Sequence, residues 1–253
     1  MRFAALGSGS RGNAWLVEGG GSALLVDCGF PLRETRARLA RLGYAPEQLA
    51  GVVLTHEHGD HAGGIGPLAR RTGVPVWMTH GTHQALRDRD LPDLRLFDSD
   101  VPFVVDGLEL HPFAVPHDAR EPCQLVVGDG ARRLGLLTDL GSLTPHVERS
   151  LAGCDALVLE ANHDPRLLRD GPYPAALKAR VGGDHGHLSN AVAAELLGRL
   201  DTARLQHLVG AHLSETNNTP ALARAAFAAV LGCAADEITL ATQAGGLDWR
   251  TLA

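Results

Sequence analysis

The sequence predicts an α+β fold in four layers, αββα, with two β-sheets packed face to face and helices outside. Three observations predict it. Short apolar runs of β type are bunched at the start of the chain between glycine-rich turns. The stretch 101–139 reads as strands and turns with no crossover helices, which argues against one parallel sheet. The second half then alternates helix and strand.

Taken in order, strands are expected at 3–6, 14–18 and 23–28, and a helix at 32–42, where Leu32, Leu39 and Leu42 stand among arginines. A strand at 51–54, a helix near 65–71 and a strand at 74–78 follow. Asp106-Gly107, Arg120-Glu121-Pro122 and Asp129-Gly130 divide 101–139 into four strands. Beyond them the pattern gives a helix at 143–151, a strand at 156–160, helices at 174–181 and 190–200, a strand at 207–211, a helix at 220–231 and a strand at 237–241. No repeat or low-complexity linker interrupts the chain, and 1–253 reads as one domain.

A chain of 253 residues is long enough to bury a substantial core. Its net charge of −6 excludes a broadly basic nucleic-acid protein but leaves room for a local basic groove. Lys178 is the only lysine among many arginines. Cys28, Cys123, Cys154 and Cys233 are far apart, lack C-x-x-C spacing and read as buried thiols of a reducing compartment. The first apolar run is too short for a signal peptide, and no later run approaches the roughly 20 residues of a membrane span. A cytoplasmic protein with no membrane partner is expected.

Gly7-Ser8-Gly9-Ser10-Arg11-Gly12 matches G-x-G-x-x-G, and Asp27 lies where a ribose-binding acid would stand. A dinucleotide site needs a helix after the glycines. Here Asn13-Ala14-Trp15-Leu16-Val17-Glu18 runs as a strand into Gly19-Gly20-Gly21, which argues against nicotinamide or flavin binding. What remains is either a phosphate-receiving loop of backbone N–H groups and hydroxyls or a tight turn.

Chemistry concentrates in Thr55-His56-Glu57-His58-Gly59-Asp60-His61, which sets three imidazoles and an aspartate directly after the apolar Gly51-Val52-Val53-Leu54. Imidazole and carboxylate are ligands of Zn, Fe and Mn, and a loop leaving a strand can turn several of them toward one point. Two metals need about six to eight ligands, so the cluster must be completed from elsewhere. Three further apolar strands end in polar residues: His117 after Val115-Pro116, Asp139 after Leu136-Leu137-Thr138, and His212 after Leu208-Val209-Gly210-Ala211. Each alone could equally cap a turn. Beside the cluster they supply what it lacks.

The set His56, His58, Asp60, His61, His117, Asp139 and His212 resembles, in order and over nearly the whole chain, the metallo-β-lactamase superfamily with its H-x-H-x-D-H motif. The resemblance implies two divalent ions (Zn, Mn or Fe), one held by His56, His58 and His117 and the other by Asp60, His61 and His212, with Asp139 bridging. Asp27 would brace the ligand loop from behind. A water shared by two cations roughly 3.5–4 Å apart is the nucleophile that such a site implies. An acid must then protonate the leaving group.

Subgroup features are the 7–13 loop, Glu160-Ala161-Asn162-His163-Asp164, Tyr173-Pro174, Leu177-Lys178-Ala179-Arg180-Val181, Gly186-His187-Leu188-Ser189-Asn190, and His212-Leu213-Ser214 with Asn217-Asn218. Together they resemble the YycJ/WalJ-type group, which implies DNA as substrate and 5′→3′ exonuclease-like phosphodiester hydrolysis. Asp rather than Cys at 139 disfavours true β-lactamases, and His rather than Glu at 58 disfavours flavodiiron oxidoreductases. On this resemblance Asp60, His163 and His187 are the catalytic candidates. Ser8, Ser10, Arg11, Asn13, Asn162, Lys178, Arg180 and Ser189 are the candidate substrate contacts. Plainer readings stand beside these: loop histidines for His163 and His187, caps or turns for Asn162 and Ser189, a solvated helix face for Lys178 and Arg180. Competing functions are a thioester or lactone hydrolase of the glyoxalase II or lactonase kind, a mononuclear iron persulfide dioxygenase, and a metal-binding scaffold without turnover.

Overall fold

Alternate residues of the first strand face different cores, Phe3 and Ala5 inward and Ala4 and Leu6 outward, and both sets are fully buried. A strand covered on both faces needs apolar residues throughout, which is why these segments read as continuous hydrophobic runs. The computed structural model describes residues 1–253. Its first half comprises β1 (Arg2–Gly7), β2 (Ala14–Gly19), β3 (Ser22–Val26), α1 (Leu32–Arg41), β4 (Gly51–Val53), α2 (Gly59–Ala62), α3 (Ile65–Thr72), β5 (Val76–Thr79), α4 (His80–Ala85) and β6 (Leu94–Phe97). There follow β7 (Phe103–Val105), β8 (Leu108–Ala114), β9 (Cys123–Gly128), β10 (Arg133–Leu137), α5 (Pro145–Leu151), β11 (Ala156–Glu160), α6 (Pro165–Asp170), α7 (Ala175–Val181), α8 (Asn190–Arg199), β12 (His207–Ala211), α9 (Pro220–Leu231), β13 (Thr239–Leu240) and β14 (Leu247–Thr251).

The strands form two seven-stranded sheets, β14-β1-β2-β3-β4-β5-β6 and β13-β12-β11-β10-β9-β8-β7. Each is antiparallel in one half and parallel in the other, the change falling at β3 and at β10. Parallel neighbours require crossovers. α1, α3 and α4 make them on the first sheet, and α5, α8 and α9 are among those on the second. Trp15, Val17, Leu24 and Val26 of the first sheet meet Leu110, Leu125, Leu134 and Val158 of the second in the central core. Two outer cores lie beneath the helices, one containing Leu39, Ile65 and Leu68, the other Leu151, Leu196, Leu197 and Phe227. This is the expected αββα sandwich.

The differences from expectation are short elements. α2, α4 and α6 span four to six residues, too few for a helical period to register. β6 and β14 are edge strands with partly exposed faces. β13 is shorter than the pattern suggests because Ala235–Glu237 forms a 3-10 turn ahead of it. No helix is long and apolar enough to cross a membrane.

Candidate metal centre

β3, β4, β10, β11 and β12 all deliver their C-terminal ends to one edge of the sandwich, where the chain leaves with Asp27, His56, Asp139, Glu160 and His212. Asp27, Asp139 and His212 are non-glycine residues in the left-handed region, with φ of 63°, 58° and 53°. Such backbone costs about 1–3 kcal/mol each and persists only where the surroundings impose it. Here buried hydrogen bonds impose it. The Asp27 carboxylate accepts from the Thr55 amide (2.8 Å) and hydroxyl (3.0 Å) and from Nδ1 of His61 (2.8 Å). It thereby ties both ends of the His56–His61 turn.

Each imidazole has one nitrogen held by a partner outside the cluster. Nδ1 of His56 meets the Thr55 hydroxyl (3.0 Å), Nε2 of His58 the Asp118 carbonyl (3.2 Å), Nδ1 of His117 the Gly186 carbonyl (3.1 Å) and Nδ1 of His212 the Glu160 carboxylate (3.0 Å). The opposite nitrogens are left to converge. His56, His58 and His117 form one group with ligand atoms all within 4.8 Å of one another, and Asp60, His61 and His212 form a second. Asp139 stands between them, its Oδ2 at 2.9 Å from Nε2 of His61 and its Oδ1 at 3.9 Å from Nε2 of His117.

Two observations test whether these residues fit metal ions. Nε2 of His56 is buried with no hydrogen-bond partner. Unpaired buried polar atoms are rare unless something else satisfies them. The outer partners also match the support that metal-binding histidines receive from carboxylates and carbonyls. An imidazole and carboxylate donor set of this kind suits Zn, Mn or Fe.

The charges agree. Burial opposes ionisation of Asp60 and Asp139, but His61 and His212 outweigh it and hold both carboxyls below their usual range, Asp139 far below. Burial favours the neutral ring of His212, yet Asp139, Asp60 and Glu160 push it up to about 10. His56 and His117, where burial dominates, are lowered.

Glu160 received no role from the sequence, although it ends an apolar strand just as Asp139 and His212 do. It is fully buried, accepts from the backbone N–H groups of Leu140 and Leu188 (both 3.0 Å), and takes Nδ1 of His187 (2.8 Å) as well as that of His212. Burial would raise its carboxyl, but the histidines lower it to about 2. His187 in turn is raised by Glu160 against the opposing effect of burial.

A cavity of about 310 Å³ opens over the candidate ligands. His58, Asp60, Asp139, His187 and His212 line it, and Ser10 and Arg180 are on its walls. Of the remaining expected substrate contacts, several face inward instead. Ser8 accepts from the His212 amide and donates to Asn13, whose own amide lies 3.1 Å from Nε2 of His61. Asn162 donates to the His212 carbonyl, and Ser189 caps α8. Short polar side chains in turns bond to nearby backbone, and these do so. Arg11 pairs with Glu215 at 2.7 Å. Lys178 turns to the Arg169 carbonyl at 2.6 Å, because residues two apart on a helix cannot share a face, so Arg180 alone reaches the cavity. His163 is buried and does not line it.

Residues 23–209 match the beta-lactamase superfamily domain. The exodeoxyribonuclease YycJ of Bacillus anthracis is 35% identical over 235 residues, 91% of this chain and 89% of that protein. The exodeoxyribonuclease WalJ of Streptococcus pneumoniae serotype 2 is 33% identical over 229 residues, 88% of this chain and 85% of that one. Among solved structures, the metallo-beta-lactamase fold protein YhfI from Bacillus subtilis superposes with a TM-score of 0.74 over 99% of both chains at 20% identity, a likeness of fold alone. The family model and relatives similar along most of the chain show that this chain belongs to the metallo-β-lactamase superfamily, with the YycJ and WalJ proteins among its relatives.

Proposed function

We propose that this metal-dependent hydrolase removes nucleotides from an end of a DNA strand, in the 5′→3′ direction, with two divalent ions as cofactors. The observation that carries the proposal is the pair of triads, His56–His58–His117 and Asp60–His61–His212, meeting at Asp139 on the floor of a cavity that Arg180 also lines. Similarity along nearly the whole chain to proteins named exodeoxyribonucleases supports DNA as the substrate.

His56, His58 and His117 would hold one ion, Asp60, His61 and His212 the other, and Asp139 both. Bound there, the ions supply Lewis acidity and lower the pKa of water. Arg180 is the cation placed to pair with a phosphate oxygen. His187, with Nδ1 fixed on Glu160, presents Nε2 to the cavity and holds a proton for the leaving oxygen. Glu160 keeps that ring oriented and favours its protonated form. The four unpaired cysteines support a reducing, cytoplasmic site of action.

The test is release of nucleotides from end-labelled DNA with added Mn²⁺ or Zn²⁺, compared with Asp139→Asn. Wild type should shorten the strand progressively from one end and the variant at least about a hundredfold more slowly. Equal rates for the two proteins would sink the proposal.

A further inference from the structure

Beside Arg180, the cavity wall provided by α7 and the residues before it is apolar. Leu177 and Val181 lie one turn apart on α7, Tyr173 stands four residues before Leu177, and all three line the cavity. No residue of α7 is buried. A helix that contributes nothing to a core is positioned by its ties, and these lead to the ligands. Arg180 is paired with Asp118, next to His117. The His187 amide donates to the Val181 carbonyl at 2.8 Å. Gly186, whose carbonyl holds His117, has no room for a Cβ, which would lie 2.1 Å from the Arg180 carbonyl oxygen and 2.3 Å from that of Val181. The stretch 165–181 also sets Arg166, Arg169, Lys178 and Arg180 against Asp170 alone, in a chain of net charge −6.

Resting on the DNA reading above, we propose that Tyr173, Leu177 and Val181 form the subsite for the terminal nucleotide, whose base packs on this wall while its phosphate lies between the ligand floor and Arg180. The two sides of the cavity match the two halves of a nucleotide. A flat, weakly hydrated base pairs with an aromatic and aliphatic surface, and a phosphate with cations. Tyr173 is the only Phe, Tyr or Trp lining the cavity. At about 310 Å³ the space is at the small end of ligand pockets, a size that suits a single nucleotide. A base packed on this wall leaves its partner before cleavage, so ends that are already unpaired are the better substrates. The Asp118 carboxylate holds Arg180 over the cavity until a phosphate replaces it.

The experiment uses the metal-loaded full chain and oligonucleotides carrying 2-aminopurine at one terminus or internally, with a methylene phosphonate at the terminal linkage to prevent cleavage. Wild type should change the fluorescence of the base at the end it degrades and leave the internal one unaltered. Tyr173→Ala should abolish that change and raise KM for natural DNA roughly tenfold, as expected for loss of one base–aromatic stack. Tyr173→Phe should restore both. Leu177→Ala, on a helix with no buried residue, should shift KM in the same direction. If wild type degrades DNA and Tyr173→Ala matches it in KM and fluorescence, the subsite is wrong and the phosphodiesterase reading survives. If wild type degrades no DNA, both fall.

Discussion

Oε1 of Glu160 accepts from Nδ1 of His212 at 3.0 Å, fixing the ring so that its Nε2 faces Asp60 at 3.4 Å. The same oxygen takes His187, so one buried carboxylate orients a candidate ligand and a candidate proton donor together.

Glu160→Gln should therefore weaken metal binding by about 10–100-fold, the usual cost of losing a partner behind a ligating histidine. The neutral amide accepts less strongly and turns a donor toward the rings or backbone amides. Competition with a chromophoric chelator measures this, and unchanged affinity would remove Glu160 from the site's support.

Acid stability of the metal-free protein should carry the same signature. The Glu160 carboxyl is lowered from 4.5 to about 2 by its histidine partners against the effect of burial. A depressed carboxyl stabilises the fold fully above its ordinary value and loses that stabilisation as pH falls toward the folded one. The stability difference between wild type and Glu160→Gln should thus shrink as pH falls from about 4.5 to 2. Denaturant midpoints at several pH values test it. A constant difference through the acid range would contradict it.

Metal loading near pH 7 should release protons. Despite burial, Asp139 and its acidic neighbours raise His61 above its ordinary value and His212 to about 10, which favours the charged ring in the metal-free protein. A ring must be neutral to coordinate. The heat of Zn²⁺ binding should accordingly vary with the ionisation enthalpy of the buffer, and affinity should rise with pH. A buffer-independent heat would argue that the rings are already neutral.

Gly29→Ala should separate the Asp27 loop from α2. A Cβ at Gly29 would lie 1.8 Å from the Asp60 carbonyl oxygen, a backbone atom that the Asn13 amide also holds at 2.7 Å. Neither side can yield without moving the ligand turn. The variant should lose metal and, as with other overpacked sites, about 1–3 kcal/mol of stability, read by metal content and a denaturation curve. Full metal content would show that the contact can relax.

The fold was legible because its strands are covered on both faces and so run apolar from end to end, as in Leu134–Leu137 beside Ala156–Leu159. The candidate ligands stood out in the sequence because each strand-end residue among them follows such a run. Other features depend on orientation, which spacing alone does not carry. Ser8 and Asn13 belong to the right loop but turn inward to His212 and His61. Lys178 and Arg180 are neighbours in sequence yet face apart on α7. Glu160 satisfied the same rule as Asp139, but its partners, His187 and His212, come from remote segments.

Elemental analysis of protein purified without chelator distinguishes one ion from two, because each triad would hold one. Two divalent ions per chain are expected, with clear loss from the Asp139→Asn variant. A single iron per chain, unaffected by that substitution, would contradict this.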